Sequence, residues 1–200
     1  MESYIEAIDK TRPITVGDNN PGGLANANTT EFRNKVSTVL AKNGEGLAGA
    51  NYSMGAMSGI HNTHPDWKII ATETASPSNS RGIYNTLSQY NKTGDYQCTA
   101  YDTNAVSWGN TARESWWYTI KDDFVSGEFI WTGFDYLGEP TPYSVYPVGV
   151  SSFGTIDTAG FAKDSFYLYQ SQWTSTPMVH LLPGNWDQWH DGEEVEAVSY

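Results

Sequence analysis

Short apolar runs that end in polar residues recur along this sequence and alternate with stretches of helical periodicity. Four runs predict strands, at Arg12–Gly17, Gly46–Tyr52, Trp67–Thr72 and Gly127–Trp131. Helical spacing of apolar residues predicts helices at Thr30–Lys42 and from Thr111 through TARESWWYTIKDDF. Because strands that alternate with helices are joined by crossovers, the pattern predicts an α/β fold with a parallel sheet. Four strands within about 130 residues would make half of an eight-stranded α/β barrel.

The remaining segments complete this coarse description. Met1–Lys10 has the spacing of a short helix that ends before Pro13, and Met54–His64 is rich in small and polar residues, which favours a loop. DSFYLYQSQW after Lys163 predicts a last helix, and the following tail predicts β-structure of a different kind. A domain boundary near residues 174–177 is therefore expected, which gives domains at residues 1–175 and 176–200.

The charge balance excludes some partners. The chain has 11 Lys and Arg against 23 Asp and Glu, a formal net charge of −12 at pH 7. Such a chain repels nucleic acid and anionic membrane surfaces. No apolar run approaches the ~18 residues of a membrane span, and the N-terminus lacks the pattern of a signal peptide. Localisation stays open because a parent protein could still have had a leader.

Aromatic residues are abundant: 14% of the chain, with 8 Trp and 13 Tyr. Flat apolar faces with polar edges suit the binding of sugars, although large aromatic residues also fill protein cores. Both interpretations are open at this point.

Polar side chains at the ends of the four predicted strands are candidates for chemistry, because the carboxyl ends of barrel strands converge on one mouth. These ends carry Asp18–Asn19, Asn51–Tyr52, Glu73, and Trp131 followed by Asp135. Glycoside hydrolysis with retention needs a carboxylate that attacks the anomeric carbon and a second carboxyl group that protonates the leaving oxygen. Glu73 could attack, and a donor such as Tyr52 would keep its carboxylate ionised. Trp131 would stack on the sugar, and Asn19, Asn51 and Asp135 would bind hydroxyls.

The polar residues also have other interpretations. A lone glutamate after a strand is often an ion-pair partner or a helix cap. A metal site at His61 and His64 is weakly supported because no acidic ligand at suitable spacing completes it. The single cysteine, Cys98, is expected to be a buried small residue, and no metal or other cofactor is predicted.

Four longer motifs carry a resemblance to a known family: KIIATETASPSNSRGIY, SWGNTARESW, GEFIWTGFDYLGEPTPY and SSFGTIDTAGFAKDSFYLYQSQW. In that order they resemble the family 2 glycoside hydrolases of β-galactosidase type, from IDKTRPITVGD to about Pro183. The resemblance implies that Glu73 is the nucleophile and that Tyr52 hydrogen-bonds it. It also implies that Trp131 stacks on a galactosyl ring and that the peptide bond after Trp131 is often cis. Asp135 and Glu139 lie in the same loop as Trp131 and are candidate sugar contacts.

The resemblance also implies what this chain would lack. The family's general acid/base is a glutamate in an Asn-Glu pair upstream of the segment resembling IDKTRP, and neither Glu2 nor Glu6 has that context. The chain is therefore expected to be the C-terminal half of a TIM (β/α)8 barrel followed by the start of a β-sandwich module. It would need the missing half or self-association, since barrel faces would otherwise be exposed. Alternatives are a non-catalytic carbohydrate-binding or structural fragment, or an enzyme for glucuronides or mannosides. An enzyme for acidic sugars would need basic groups, and Arg81 and Lys163 are the ones near the motifs.

Overall fold

The structure is a computed structural model that describes residues 2–19, 47–85, 96–187 and 189–200. The chain divides into two compact units. Unit 1 comprises residues 1–74 and 115–130, and unit 2 comprises residues 75–114 and 131–200. Helices and strands alternate in the described residues, so the predicted α/β class is confirmed. None of the helices in these ranges combines the length and apolar character that crossing a bilayer requires.

Three of the predicted strands form one sheet. Its strands are β1 (Leu47–Asn51), β2 (Lys68–Ala75) and β3 (Val125–Trp131), in the order β1-β2-β3. β1 and β2 are parallel, as predicted. The N–H of Ile69 donates to Phe124 O (3.4 Å) at one end of β2 and that of Ser76 to Trp131 O (3.1 Å) at the other, so β3 runs in the same direction. Three of the four predicted strands are thus confirmed.

The prediction of a strand at Arg12–Gly17 is wrong. Residues 13–18 run alongside β1 but do not form a regular hydrogen-bonded ladder with it. Pro13 has no N–H to donate. The segment comes so close to β1 that a side-chain carbon added at Gly49 would lie 2.2 Å from the carbonyl oxygen of Val16. The Thr15 hydroxyl donates to Leu47 O (3.3 Å), and at the end of the segment the N–H of Asn51 donates to Asp18 O (2.8 Å).

The core of unit 1 explains a second difference from the sequence prediction. Residues 54–64, predicted as a loop, form a 3₁₀ turn (Met54–Ala56) followed by helix α2 (Met57–Thr63). Met54, Met57 and Ile60 recur every third residue and are all buried, packing on the small alanines of β1 and β2. Tertiary burial therefore overrides the loop-like composition of this segment.

Three further helices are described. Helix α1 is Glu2–Glu6, shorter than predicted; α3 is Ala112–Ile120 and α4 is Asp164–Trp173. The helix predicted at residues 30–42 lies outside the described residues. At the start of α3 the hydroxyl of Thr111 accepts the N–H of Glu114 (3.3 Å), which is one of the two bonds of a capping box.

Unit 2 contains two small antiparallel pairs besides α4. β4 (Tyr136–Leu137) pairs with β5 (Val150–Ser151), and β6 (Leu181–Leu182) pairs with β7 (Val198–Ser199). The predicted β-structure in the tail is thus confirmed. Leu182 is buried with Tyr84 and Tyr101, and the Asp164 carboxylate accepts hydrogen bonds from Tyr84 (2.9 Å) and pairs with His180 Nε2 (2.7 Å). These contacts attach the tail to the rest of unit 2, while the expected domain boundary near residues 174–177 stays a prediction.

Candidate active site

Glu73 lies inside β2 near its carboxyl end, since the strand continues to Ala75. Thr74 beyond it is fully buried, and Glu73 itself is partly exposed. Ala75 and Ser76 then adopt φ angles of 64° and 63°, which non-glycine residues rarely do. Such strained backbone is common at functional sites, so it marks the end of β2 as a place of interest.

Tyr52 is held next to Glu73 by the backbone. A register shift after Ala50 places Asn51 opposite Glu73, and the N–H of Tyr52 donates to Glu73 O at 2.8 Å. Tyr52 also has a positive φ, of 50°. The two residues are therefore neighbours at the ends of adjacent strands, as predicted. The expected hydrogen bond from the Tyr52 phenol to the Glu73 carboxylate stays a prediction.

Two asparagines lie at the same edge of the sheet and are connected. Asn51 Nδ2 donates to Asn19 Oδ1 at 3.0 Å, and the Thr72 hydroxyl donates to Asn51 Oδ1 at 2.6 Å. A side-chain carbon at Gly17 would approach Asn51 Oδ1 to 2.8 Å, so glycine gives the amide its space. The structure thus brings four of the predicted site residues together in unit 1: Asn19, Asn51, Tyr52 and Glu73.

The other three predicted site residues, Trp131, Asp135 and Glu139, belong to unit 2. Trp131 ends β3 with 36% of its surface exposed, and its ring meets that of Tyr136 edge-on at 6.0 Å. The peptide bond between Trp131 and Thr132 is cis, as the resemblance implies. About a third of the Trp131 surface is thus open to contacts.

Asp135 forms a buried ion pair. Its Oδ1 atom accepts from Lys163 Nζ (2.7 Å) and from the N–H of Gly154 (2.8 Å). Burial raises the pKa of the Asp135 carboxyl and lowers that of the Lys163 ammonium, while their mutual attraction opposes both shifts. One oxygen of Asp135 is therefore engaged inside the protein.

Sequence reasoning did not anticipate the burial of Lys163, whose side chain is only 2% exposed. The lysine stands at the N-cap of α4, where the helix dipole disfavours a cation. That mismatch is the one signal in the sequence that this lysine has a specific partner. Glu139, in contrast, has an exposed side chain and a φ of 44°, and its carbonyl oxygen accepts the hydroxyls of Thr141 (2.9 Å) and Ser151.

A cavity of about 550 Å³ lies within unit 2 and includes Asp135 and Lys163 in its lining. Arg81 lines it as well, with Nε 2.7 Å from Asp157 Oδ2. Burial acts to raise the pKa of the Asp157 carboxyl, but hydrogen bonds from the Phe161 N–H and from Arg81 outweigh it and lower that pKa. The cavity is thus lined by two carboxylates and two cations that are paired with one another.

The histidines considered as metal ligands are engaged in ring stacking. His61 stacks on Phe124 at 4.0 Å and His64 on Trp67 at 3.7 Å. In the described ranges, no group of three or more His, Cys, Asp and Glu side chains could hold a metal ion. Cys98 is buried, as predicted. Its burial raises the thiol pKa to about 11.

Comparison with known proteins shows which proteins this chain is similar to. No protein-family model matches the chain. Over 211 residues, however, the chain is 37% identical to a β-galactosidase of Bacteroides ovatus, in a match that covers 100% of this chain and 23% of the relative. A putative β-glucuronidase of Formosa agariphila is 29% identical over 212 residues, covering 92% of this chain and 18% of that protein.

Solved structures show the same fold. A glycosyl hydrolase family 2 member from Bacteroides cellulosilyticus matches with a TM-score of 0.56 and 21% identity, over 90% of this chain and 18% of that one. A β-D-glucuronidase of Dictyoglomus thermophilum matches with a TM-score of 0.53 and 17% identity, over 88% and 28%. The resemblance to glycoside hydrolase family 2 of β-galactosidase type is therefore confirmed. The chain spans about a quarter or less of the length of the two sequence relatives.

Proposed function

We propose that this chain carries the nucleophile-bearing part of a retaining glycoside hydrolase that acts on terminal β-galactosides. The observation that supports it most is the position of Glu73. Glu73 lies near the end of β2, with the backbones of Asn51 and Tyr52 beside its own, in a chain whose whole length matches part of a β-galactosidase.

In the proposed reaction, a carboxylate oxygen of Glu73 attacks the anomeric carbon while the bond to the leaving oxygen breaks. A general acid gives its proton to that oxygen, and the sugar is left as an ester of Glu73. Water then attacks the same carbon, its proton goes to the general base, and the carboxylate of Glu73 is released. The acid/base glutamate is proposed to lie upstream of this chain, and a phenol donor at Tyr52 would keep Glu73 ionised and oriented.

The sugar contacts are proposed from chemistry and from the resemblance. The indole face of Trp131 suits the apolar side of a galactosyl ring. Asn19 and Asn51 offer amide groups to ring hydroxyls, and Asp135 and Glu139 offer carboxylates. The substrate would be a β-galactoside or a related oligosaccharide.

The proposed architecture is the C-terminal half of a TIM barrel at residues 1–175, followed by the start of a β-sandwich at 176–200. A covering partner is proposed from this architecture, and Phe129 of β3 and Trp117 of α3 are exposed aromatic side chains that it would cover. That partner would be the other barrel half or a second copy of the chain.

A second candidate is the same chemistry on another β-glycoside such as a glucuronide or a mannoside. The relative from Formosa agariphila is named as a putative β-glucuronidase, and Arg81 and Lys163 lie in the cavity of unit 2. A third candidate, a carbohydrate-binding or structural fragment without catalysis, would have the same fold without a reactive Glu73.

The test is covalent labelling with 2,4-dinitrophenyl 2-deoxy-2-fluoro-β-galactoside, whose leaving group departs without a general acid. Intact mass is measured before and after incubation, and the labelled peptide is mapped. We expect a gain of one fluorogalactosyl group on Glu73, and no gain in Glu73→Gln.

Glu114→Gln is the matched control, because Glu114 is an exposed glutamate of α3. It should label like the original chain. A correctly folded chain that gains no mass would mean that it is a fragment without its own nucleophilic activity. Faster labelling by the corresponding fluoroglucuronide would favour the second candidate.

A further inference from the structure

Thr72 is an extra residue in the ladder between β1 and β2. Ala50 pairs with Ala71. The next residue of β1, Asn51, pairs with Glu73, so β2 has one residue, Thr72, that β1 does not match. Such a β-bulge changes the directions in which the following side chains point, and bulges are frequent next to active sites. Thr72 therefore lies where the direction of the Glu73 side chain is set.

Burial along β2 shows the change in direction. Ile69 and Ala71 are fully buried and Ile70 between them is partly exposed, as the alternation of a strand requires. Continued alternation would bury Glu73 as well, whereas Glu73 is partly exposed and Thr74 after it is fully buried. The alternation thus changes phase at the bulge. The carboxylate is thereby kept from the apolar side of the sheet, where an unpaired charge would be costly.

A side-chain hydrogen bond fastens the bulge. The Thr72 hydroxyl donates to Asn51 Oδ1 at 2.6 Å, and Asn51 Nδ2 donates to Asn19 Oδ1 at 3.0 Å. The backbone of Asn51 is fixed as well, since its N–H donates to Asp18 O at 2.8 Å. A side-chain carbon at Gly17 would lie 2.8 Å from Asn51 Oδ1, so the amide that holds Thr72 has little room to move. The extra residue is therefore attached to β1 through its side chain.

We propose that Thr72 is a positioning residue for Glu73: its hydroxyl, bonded to Asn51, fixes the bulge that turns the Glu73 side chain away from the buried face of β2. The inference rests on the proposed function only for the use to which the carboxylate is put. The direction of the side chain is a property of the bulge itself. Thr72 has no step of its own in the reaction.

The direction of residue 73 can be measured without any sugar. In Glu73→Cys the new thiol is the reactive one, because the single native cysteine, Cys98, is buried. Its rate of reaction with dithionitrobenzoate, a chromogenic disulfide, reports how accessible the side chain is to water. Thr72→Val keeps the shape of the side chain and removes the hydroxyl. Added to Glu73→Cys, we expect it to slow the thiol reaction severalfold, and Thr72→Ser to leave the rate unchanged.

Labelling of Glu73 by the dinitrophenyl fluorogalactoside measures the consequence for the reaction. A nucleophile displaced by about 1 Å slows the chemical step by up to about 10²-fold, while binding of the sugar is nearly the same. We expect Thr72→Val to lower the maximal rate of labelling at least about tenfold and to change the half-saturating concentration by less than about threefold. Thr72→Ser, which retains the hydroxyl, should label like the original chain.

Thr63→Val is the matched control, because Thr63 is an exposed threonine of α2 whose hydroxyl donates to Gly59 O. It should change neither rate. Thr72→Ala serves if the valine variant does not fold. A merely structural role of Thr72 would lower the free energy of unfolding and leave both rates of the folded protein unchanged, which would overturn the inference.

Two other results would also overturn it. One is a thiol rate that folded Thr72→Val does not slow, and the other is a Thr72→Ser variant as slow as Thr72→Val. The proposed function fails separately. If the thiol responds as expected while Glu73 of the original chain gains no sugar, the proposed function is refuted and the positioning of residue 73 by Thr72 stands.

Discussion

Lys163→Met should destabilise the protein strongly, because it breaks a buried charge network and preserves most of the side-chain volume. The Lys163 ammonium donates to Asp135 Oδ1 (2.7 Å), Asn79 O (2.7 Å) and Ser152 O (3.2 Å), so all of its protons are used. The side chains of Lys163 and Asp135 are 2% and 8% exposed, so water cannot replace these bonds. Removing one partner of such a pair costs about 3–5 kcal/mol, a large share of the roughly 5–15 kcal/mol that keeps a typical protein folded.

The loss should also depend on pH. Burial is the largest cause of the raised pKa of Asp135, and Lys163 is the main influence that lowers it. Without the lysine, the pKa of Asp135 in the folded state rises further above the unfolded value. The folded variant then binds more protons than the unfolded one, so its stability falls as pH rises through the folded-state pKa and is partly regained on acidification.

The assay is urea unfolding at several pH values, with Lys121→Met as the matched control. Lys121 pairs with Asp122 at 2.8 Å, but both side chains are about a quarter exposed. Its loss should therefore cost about 1 kcal/mol or less. Adding Asp135→Asn to Lys163→Met should recover roughly 2 kcal/mol, because the unpaired charge is removed. Equal losses in the two lysine variants, or no recovery in the double variant, would refute the reasoning.

Two further predictions concern single positions. Gly154→Ala should cost about 1–3 kcal/mol in urea unfolding, because a carbon added at Gly154 would lie 2.1 Å from the backbone nitrogen of Asp135; Gly133→Ala, with open space around it, is the control, and equal effects would contradict the steric explanation. Burial raises the pKa of the Glu128 carboxyl, although a hydrogen bond from the Thr74 hydroxyl (2.8 Å) acts to lower it. The folded chain therefore binds the extra proton, and its stability should fall as pH rises from the usual glutamate range through the raised pKa; Glu128→Gln should flatten this part of the pH dependence, and an unchanged pH profile would show that Glu128 is not its source.

Much of the fold could be predicted because local patterns and tertiary packing agree. The apolar run before Glu73 is long and β-branched, and it forms β2; DSFYLYQSQW forms α4 over the residues predicted. The prediction failed at residues 54–63, where buried methionines stabilise helix in a segment with loop-like composition. It also failed at residues 12–17, where close approach to Gly49 takes the place of a regular ladder.

The candidate site divides in the same way. A polar residue at the end of a predicted strand is visible in the sequence, and so Glu73, Tyr52 and Asn51 could be chosen as neighbours. The ion pair between Asp135 and Lys163 could not be predicted from the sequence, because the two residues are far apart in the chain and no periodicity relates them.

The sequence by itself determined the α/β class, the strand that carries Glu73 and the resemblance to family 2 glycoside hydrolases, since each depends on residue patterns within short segments. Only the tertiary structure decided which charges are buried, which side chains share the cavity of unit 2, and where glycine is needed for close contact. The physical reason is that burial and ion pairing depend on distances between segments remote in sequence, and those distances exist only once the chain has folded.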